Sequence, residues 1–512
     1  MSRGRVILVG AGPGSPDLIT VRGARALAEA DAVVYDALAS PELLDLAPAR
    51  AERFNVGKRG HDAPTVPQQE TTALLLRLAA EGKTVVRLKG GDPYVFGRGG
   101  EEASACAEAG VDFEVVPGVS SIFGALAHAG IPITDRRHAA SFAVVTGHKD
   151  PTKVSEETRW ELLAHAADTL LVLMGMRNLG DIVGRLLGAG RAPSTPSAVV
   201  MNGTLPTQRV VEAPLGELVE RVREAGLSAP SVVVVGDVVG LRSALAWYER
   251  QPLFGKRVLV TRSEDQAGDL SMALVSAGAL PVVVPMIEMQ PARDPAPLDA
   301  ALARLADYDA LVFTSANAVR FTHARAVERG VDPAAFEGRV LCVGPATADA
   351  ALAAGFPVHH LPANRFDAEG VLALVREAFP ARGRRFLLPG SASARSVLPD
   401  GLRADGGEVD AVVAYHTLPA AVDAGALRAR LLAGELDVLT FTSPSTARHF
   451  LGHLDDASRE AAGRCVVAAI GPVTADALRA AGLPPDVVSP SAGVPALVAA
   501  LEAHVAGERE AG

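Results

Sequence analysis

The sequence predicts an α/β protein throughout, with mostly parallel strands, and three observations carry that prediction. First, apolar beats of four to six residues alternate with Ala/Leu-rich helical stretches, as in "RVILVG", "DAVVYD", "TVVRLK", "FAVVTG", "TLLVLM" and "SVVVVGDVV". Second, the rhythm restarts at "AWYERQPLFGKRVLVTR", where a helix carrying Trp247 and Tyr248 ends near Pro252 and a new strand begins over Lys256–Arg262. Third, the second half echoes itself: "VLVTRS" from Val258 returns as "FLLPGS" from Phe386, and "FTSANAVRF" from Phe313 as "FTSPSTARHF" from Phe441. "GPATADAALAAG" from Gly344 returns as "GPVTADALRAAG" from Gly471 at nearly the same displacement. One shared offset marks a duplication of two α/β lobes.

Bulk properties narrow the function. The chain has 512 residues, room for about three or four domains. A formal net charge of −10 argues against a nucleic-acid partner and means that an acidic substrate needs local basic patches. Cys106, Cys342 and Cys465 lie far apart without CxxC spacing, which suggests neither a disulfide framework nor a thiolate metal cluster and fits a reducing compartment. The 12 His lack companions at ligand spacing, so no metal site is expected. "MSRGRVILVGAG" runs straight into a strand and no apolar run of about eighteen residues occurs. The expectation is a cytoplasmic protein without a membrane span.

The first strand leads into "VILVGAGPGS", a dinucleotide-site lookalike with Asp36 near the ribose-binding position. Two residues argue against that reading: Ser15 stands where the third glycine belongs, and Pro13 stiffens the loop. The next element is more telling. "RLKGGDPYVFGRGGEE", Arg87 to Glu102, packs five glycines and six charged residues after the apolar beat "TVV". A backbone that bare is costly to order and suggests something large approaching the main chain.

Taken in order, "GAGPGSPDLIT", "YDALAS", "VGKRG", "RLKGGDPYVFGRGGEE", "VVPGVSS", "GIPITDR", "VVTGH", "LLVLMG", "NGTLPTQRVV" and "PSVVVVGDVV" resemble uroporphyrinogen-III C-methyltransferases over about residues 4 to 250. The resemblance implies a tetrapyrrole-methylase fold of two α/β subdomains, about 1–118 and 119–252, holding S-adenosylmethionine between them. It implies cofactor contacts at Pro13, Gly90, Gly91, Asp92, Val95, Ser120, Ser121, Met174, Gly203 and Ser231, and an acid–base pair of Asp36 and Lys58. It also implies a homodimer through this half. Three positions depart from the family pattern: Ser15 replaces an acid, Ala37 an Arg and Asp135 a His.

The chemistry asks for in-line placement of a methyl donor against a pyrrole carbon, and for loss of a proton from the pyrrole nitrogen. A substrate with eight carboxylates requires cations at the cleft. Arg59, Arg98, Arg136, Arg137 and Lys149 are candidates, while His148 of "TGH" reads as structural.

The second half, 253–512, resembles uroporphyrinogen-III synthase over about 255 to 505, through the paired lobes and "VVAYHTLP". That resemblance implies lobe one at about 255–288 plus 417–506 and lobe two at about 289–416, with linear hydroxymethylbilane closing in the cleft. In both lobes a strand runs into Ser/Thr and a helix, which offers free N–H groups to carboxylates. Thr314, Ser315, Thr347, Ser443 and Thr474 are the candidate ligand-binding residues, and the resemblance implies that Tyr415, matching the family's tyrosine, assists the departing hydroxyl as an acid. Two alternatives stay open: a methyltransferase acting on another precorrin or on diphthine, and a non-catalytic ligand-binding C-terminal module.

Overall fold

The computed structural model describes residues 4–57, 66–147, 159–491 and 493–511. The first sheet comprises β1 (Arg5–Gly10), β2 (Ala32–Tyr35), β3 (Glu52–Asn55), β4 (Thr84–Lys89) and β5 (Asp112–Val116), in the order β3-β2-β4-β1-β5 with every pair parallel. Successive side chains of β1 alternate between two cores. Ile7 and Val9 pack with Ala26 and Leu27 of the helix Val21–Ala28. Val6 and Leu8 pack with Leu75 and Leu78 of Gln68–Ala80 and with Cys106 of Gly99–Glu108. Burial on both faces is why "RVILVG" reads as one continuous apolar run.

The second sheet comprises β6 (Phe142–Thr146), β7 (Thr169–Leu173), β8 (Pro196–Met201), β9 (Arg209–Pro214) and β10 (Ser231–Val235), in the order β6-β7-β10-β8-β9. Here only β6 and β7 run parallel; β10 lies antiparallel between β7 and β8, and β8 pairs antiparallel with β9. The link 202–208 is too short for a crossover, which forces the β8–β9 hairpin. Parallel pairing therefore dominates the chain but not this sheet.

The remaining strands are β11 (Arg257–Val260), β12 (Leu280–Val283), β13 (Ile287–Pro291), β14 (Ala310–Phe313), β15 (Arg339–Cys342), β16 (Val358–His360), β17 (Arg385–Ser391), β18 (Glu408–Pro419), β19 (Val438–Phe441), β20 (Val466–Ala469) and β21 (Val487–Val488). They form a parallel sheet β12-β11-β19-β20-β21 and a sheet β13-β18-β17-β14-β15-β16, the latter antiparallel only at β13–β18. β18-β17-β14-β15-β16 repeats the order β12-β11-β19-β20-β21, so the sequence echo is a repeat of topology. By contacts the chain divides into one unit of Met1–Thr261, Asp265–Val284 and Ala424–Gly512 and another of Arg262–Glu264 and Pro285–Asp423. Among the described residues no helix is long and apolar enough to cross a membrane.

The repeated hydroxyls have a local task. Ser315 precedes the helix Ala316–Glu328 and accepts from Ala318 N–H at 3.1 Å; Ser443 precedes Pro444–Gly452 and accepts from Thr446 N–H at 3.2 Å. Replacing Ser443 by Ala is expected to cost about 1 kcal/mol of local stability. Amide exchange in Pro444–Gly452 should then speed up roughly fivefold. Unchanged exchange would remove the capping role.

Candidate active site

At the carboxyl edge of the first sheet three chain segments meet through glycine. Gly12 N–H donates to Gly91 C=O at 3.2 Å and Gly91 N–H donates to Gly12 C=O at 2.7 Å. A Cβ placed on Gly118 would lie 2.3 Å from Gly91 O and 2.7 Å from Gly10 Cα. Part of the glycine density after β4 thus also serves the protein's own backbone. Asp92 clamps the junction, accepting Gly118 N–H on Oδ2 at 3.0 Å and Tyr94 N–H on Oδ1 at 2.8 Å. Gly91, at φ +68, is bordered by the backbone of Ser120 and Ser121, and Gly90 by Leu38. Pro13 packs on Gly124 of the helix Ser121–His128. Ser120 is buried, and Val95 packs against the core of the second sheet.

Strain gathers at the same kind of edge. The non-glycine residues with positive φ among the described residues are Phe96, Arg98, Met174, Asn202 and Thr204, in the loops that follow β4, β7 and β8. Residues held in sparsely populated conformations cost of order 1–3 kcal/mol each and persist where the surroundings over-determine them. Met174 is half exposed, and Gly203, between Asn202 and Thr204, abuts Ala125 so closely that a Cβ would lie 2.2 Å from Ala125 Cβ. The loop 202–208 is pinned: Ser15 N–H donates to Thr204 Oγ1 at 3.0 Å, Tyr248 OH to Thr204 C=O at 3.0 Å, and Thr204 N–H to Gln208 Oε1 at 3.0 Å. Ser231 lies opposite Met201 at the same edge of the sheet and donates to Ser228 C=O. At the departure Ser15, the hydroxyl is buried and donates to Asp17 Oδ1 at 2.5 Å.

Asp36 follows β2, its N–H donating to Leu88 C=O at 3.2 Å. Beneath it lies a set of charges that the sequence reading passed over. Arg87 Nη2 donates to Asp36 Oδ1 at 2.6 Å and Arg87 Nε to Glu102 Oε1 at 3.1 Å. Lys89 Nζ is 3.0 Å from Glu102 Oε2, within ion-pair reach but outside hydrogen-bond geometry. Gln68 Nε2 also donates to Glu102 Oε1, at 3.0 Å. Arg87, Lys89 and Glu102 are 3%, 2% and 0% exposed. Burial, reinforced by the Arg87 guanidinium, pushes the Lys89 ammonium below its usual range. The signal was present in "TVVRLK": two cations two positions apart, hence on one face of an otherwise buried strand.

Lys58 and Arg59 lie outside the described residues, as do His148 and Lys149. Arg98 is exposed and paired with Glu101 at 2.9 and 2.7 Å. Arg136 and Arg137 are exposed in a turn where Asp135 accepts from His138 Nδ1 at 2.6 Å and Arg137 N–H at 3.0 Å. The structure thus gathers the candidates Pro13, Gly91, Asp92, Val95, Ser120 and Ser121 at one junction, whereas Arg98 is engaged with its own neighbour.

In the unit holding β13–β18, Ser315 Oγ and Tyr415 OH are 3.2 Å apart. The buried Tyr415 ring stacks on Phe321 at 5.4 Å and 14°, and the Arg320 guanidinium lies 4.7 Å from the Phe321 centroid on the same helix. Thr314 is exposed, while Thr347, in the first turn of Pro345–Ala353, is buried. In the other unit Thr474, in Pro472–Ala480, is likewise buried, and Ser443 Oγ lies 2.9 Å from Ser445 Oγ.

Two family models match the chain: tetrapyrrole (corrin/porphyrin) methylases over residues 5–219 and uroporphyrinogen-III synthase HemD over 268–499. The porphyrin biosynthesis protein HemD of Ruminiclostridium josui is 35% identical over 481 residues, covering 94% of this chain and 94% of that protein. The siroheme synthase of Thiobacillus denitrificans is 48% identical over 253 residues, 49% of this chain and 52% of that protein, so the chain spans about half of that relative's length. A crystal structure of uroporphyrin-III C-methyl transferase from Thermus thermophilus, complexed with S-adenosyl homocysteine, is 42% identical with a TM-score of 0.40, covering 46% of this chain and 100% of that one. With a relative matched along nearly its whole length and both family models found on this chain, the chain belongs to the family of the porphyrin biosynthesis protein HemD and joins a tetrapyrrole methylase domain to a uroporphyrinogen-III synthase domain.

Proposed function

We propose that residues 253–512 close hydroxymethylbilane into uroporphyrinogen III, and that residues 1–252 methylate this product twice with S-adenosylmethionine to give precorrin-2, on the route to sirohaem or cobalamin. The observation that carries the reading is the carboxyl edge of the first sheet, where Asp36, bonded through its N–H to Leu88, follows the strand paired with the one that runs into Gly90 and Gly91. The residues present fit the cofactor. Gly90 and Gly91 are half-buried and carry no side chain, half-exposed Met174 offers a thioether, and the strained loops after β7 and β8 hold Met174 and Gly203 in fixed places. Pro13, Asp92, Val95, Ser120, Ser121 and Ser231 complete its contacts. When bound, S-adenosylmethionine supplies the methyl group.

The chain's own residues do the rest. Asp36 takes the proton released from the pyrrole nitrogen, with Lys58 as its acid–base partner. Arg59, Arg98 and Arg136 hold substrate carboxylates by charge-assisted hydrogen bonds. In the synthase domain Tyr415, fixed by Ser315 and by its stack on Phe321, donates toward the departing hydroxyl. Thr314, Ser315, Thr347, Ser443 and Thr474 restrain the flexible bilane, and ring closure by restraint needs little more than positioning. The working form is a homodimer in the cytoplasm.

Hydroxymethylbilane supplied to the whole chain tests both halves. Without S-adenosylmethionine the oxidised product should chromatograph as uroporphyrin III, and with it a doubly methylated product should replace that peak. Uroporphyrin I alone would eliminate the synthase reading, and isomer III that stays unmethylated would eliminate the methyltransferase reading.

A further inference from the structure

We infer that Glu102, neutralised by Lys89, anchors Arg87 so that Arg87 fixes the Asp36 carboxylate for methyl transfer, making Arg87, Glu102 and Lys89 positioning residues of the site. The inference rests on the reading of Asp36 given above.

Charges buried this deeply are expensive unless paired, and well-packed apolar residues of similar volume are often no less stable. Stability alone therefore gives little reason for two cations and a carboxylate at 3% exposure or less. Their geometry gives a better one. The Arg87 guanidinium is held along its length: Nε on Glu102 at 3.1 Å, and Nη1 on the carbonyls of Val34 and Leu88 at 3.4 and 3.3 Å. Nη2 is left to aim at Asp36, at 2.6 Å. A rigid planar fork locked on one side presents its other donor in a fixed direction, which a lysine cannot do. Glu102 in turn is held by Gln68 and by Lys89. Lys89 balances the charge of Glu102, so that the carboxylate can serve Arg87 without leaving a buried anion uncompensated. The chain of contacts runs from Glu102, wholly enclosed, outward to Asp36, whose side chain is 30% exposed. Asp36 is the member of the set that a substrate can reach.

Two double variants of the whole chain separate positioning from charge balance. E102L/K89M removes one charge of each sign together with the anchor on Arg87 Nε. E102Q/K89M removes the same charges but keeps an amide oxygen to accept from that Nε. For E102L/K89M, kcat for methyl transfer to uroporphyrinogen III is expected to fall about a hundredfold, as for other small misplacements of a reacting group. KM, S-adenosyl homocysteine affinity by calorimetry and bilane cyclisation should stay close to wild type. E102Q/K89M should recover most of the lost kcat.

Equal kcat in E102L/K89M and wild type, with Asp36→Ala inactive, would overturn the positioning role and leave the reading of Asp36 standing. Full activity in Asp36→Ala would overturn that reading itself. If E102L/K89M does not bind S-adenosyl homocysteine, E102D decides in its place, since it keeps the charge and withdraws the carboxylate by one methylene. A lowered kcat at unchanged S-adenosyl homocysteine affinity supports the inference, and an unchanged kcat overturns it.

Discussion

Replacing Asp36 by Ala is expected to lower methyl transfer on the order of 10³-fold, within the range for loss of a positioned acid–base group. The effect should fall on kcat, because Asp36 lies beside the glycine junction rather than inside it, and its carboxylate is held by Arg87 rather than by the bed of Gly90 and Gly91. S-adenosyl homocysteine affinity, measured by calorimetry, should change little. Cyclisation of the bilane by the same chain should be untouched, which provides an internal measure of folding. Methyl transfer at the wild-type rate would remove Asp36 from the chemistry and leave the buried Arg87 with a structural pairing only.

Gly118→Ala is expected to have the largest effect on structure. The new Cβ would stand 2.3 Å from Gly91 O, 2.7 Å from Gly10 Cα and 2.9 Å from Gly10 C, and all three are main-chain atoms with no side chain to swing aside. The loops after β1, β4 and β5 would have to part, breaking the paired hydrogen bonds of Gly12 and Gly91 and the Asp92–Gly118 bond. Overpacking of this kind costs about 3 kcal/mol. Cofactor affinity should fall with it, since the displaced peptides are those proposed to bear the ligand. Gly100→Ala is the matched control: its Cβ would meet nothing within 4 Å, and stability should stay within about 0.5 kcal/mol of wild type. Calorimetric melting of the two variants checks the pair, and equal behaviour would contradict the junction.

How much of this was legible in the sequence depended on whether a feature had a local cause. The first sheet was legible because strands buried on both faces must be continuously apolar, as "RVILVG" and "TVVRLK" nearly are. Strand direction in the second sheet was not, because "TLLVLM" and "SVVVV" read alike either way. It is set by the short link 202–208 and by β10 entering between β7 and β8. The duplication was visible to the level of single hydroxyls, since Ser315 and Ser443 cap equivalent helices with nearly the same backbone angles. Arg87, Lys89 and Glu102 were missed for a physical reason. Charge in a strand is ordinarily an end or a wet face, and only the distant Glu102, brought back by the helix Gly99–Glu108, makes burial of those cations affordable. The close approach of Gly10 and Gly118 was not legible, because bare peptide invites a ligand and a neighbouring backbone equally.

The most direct test is a crystal structure of the chain grown with S-adenosyl homocysteine. The ligand is predicted to rest on the main chain of Gly90 and Gly91, with Met174 and Gly203 in contact from the second sheet. A ligand seated anywhere else, with those glycines untouched, would contradict the account.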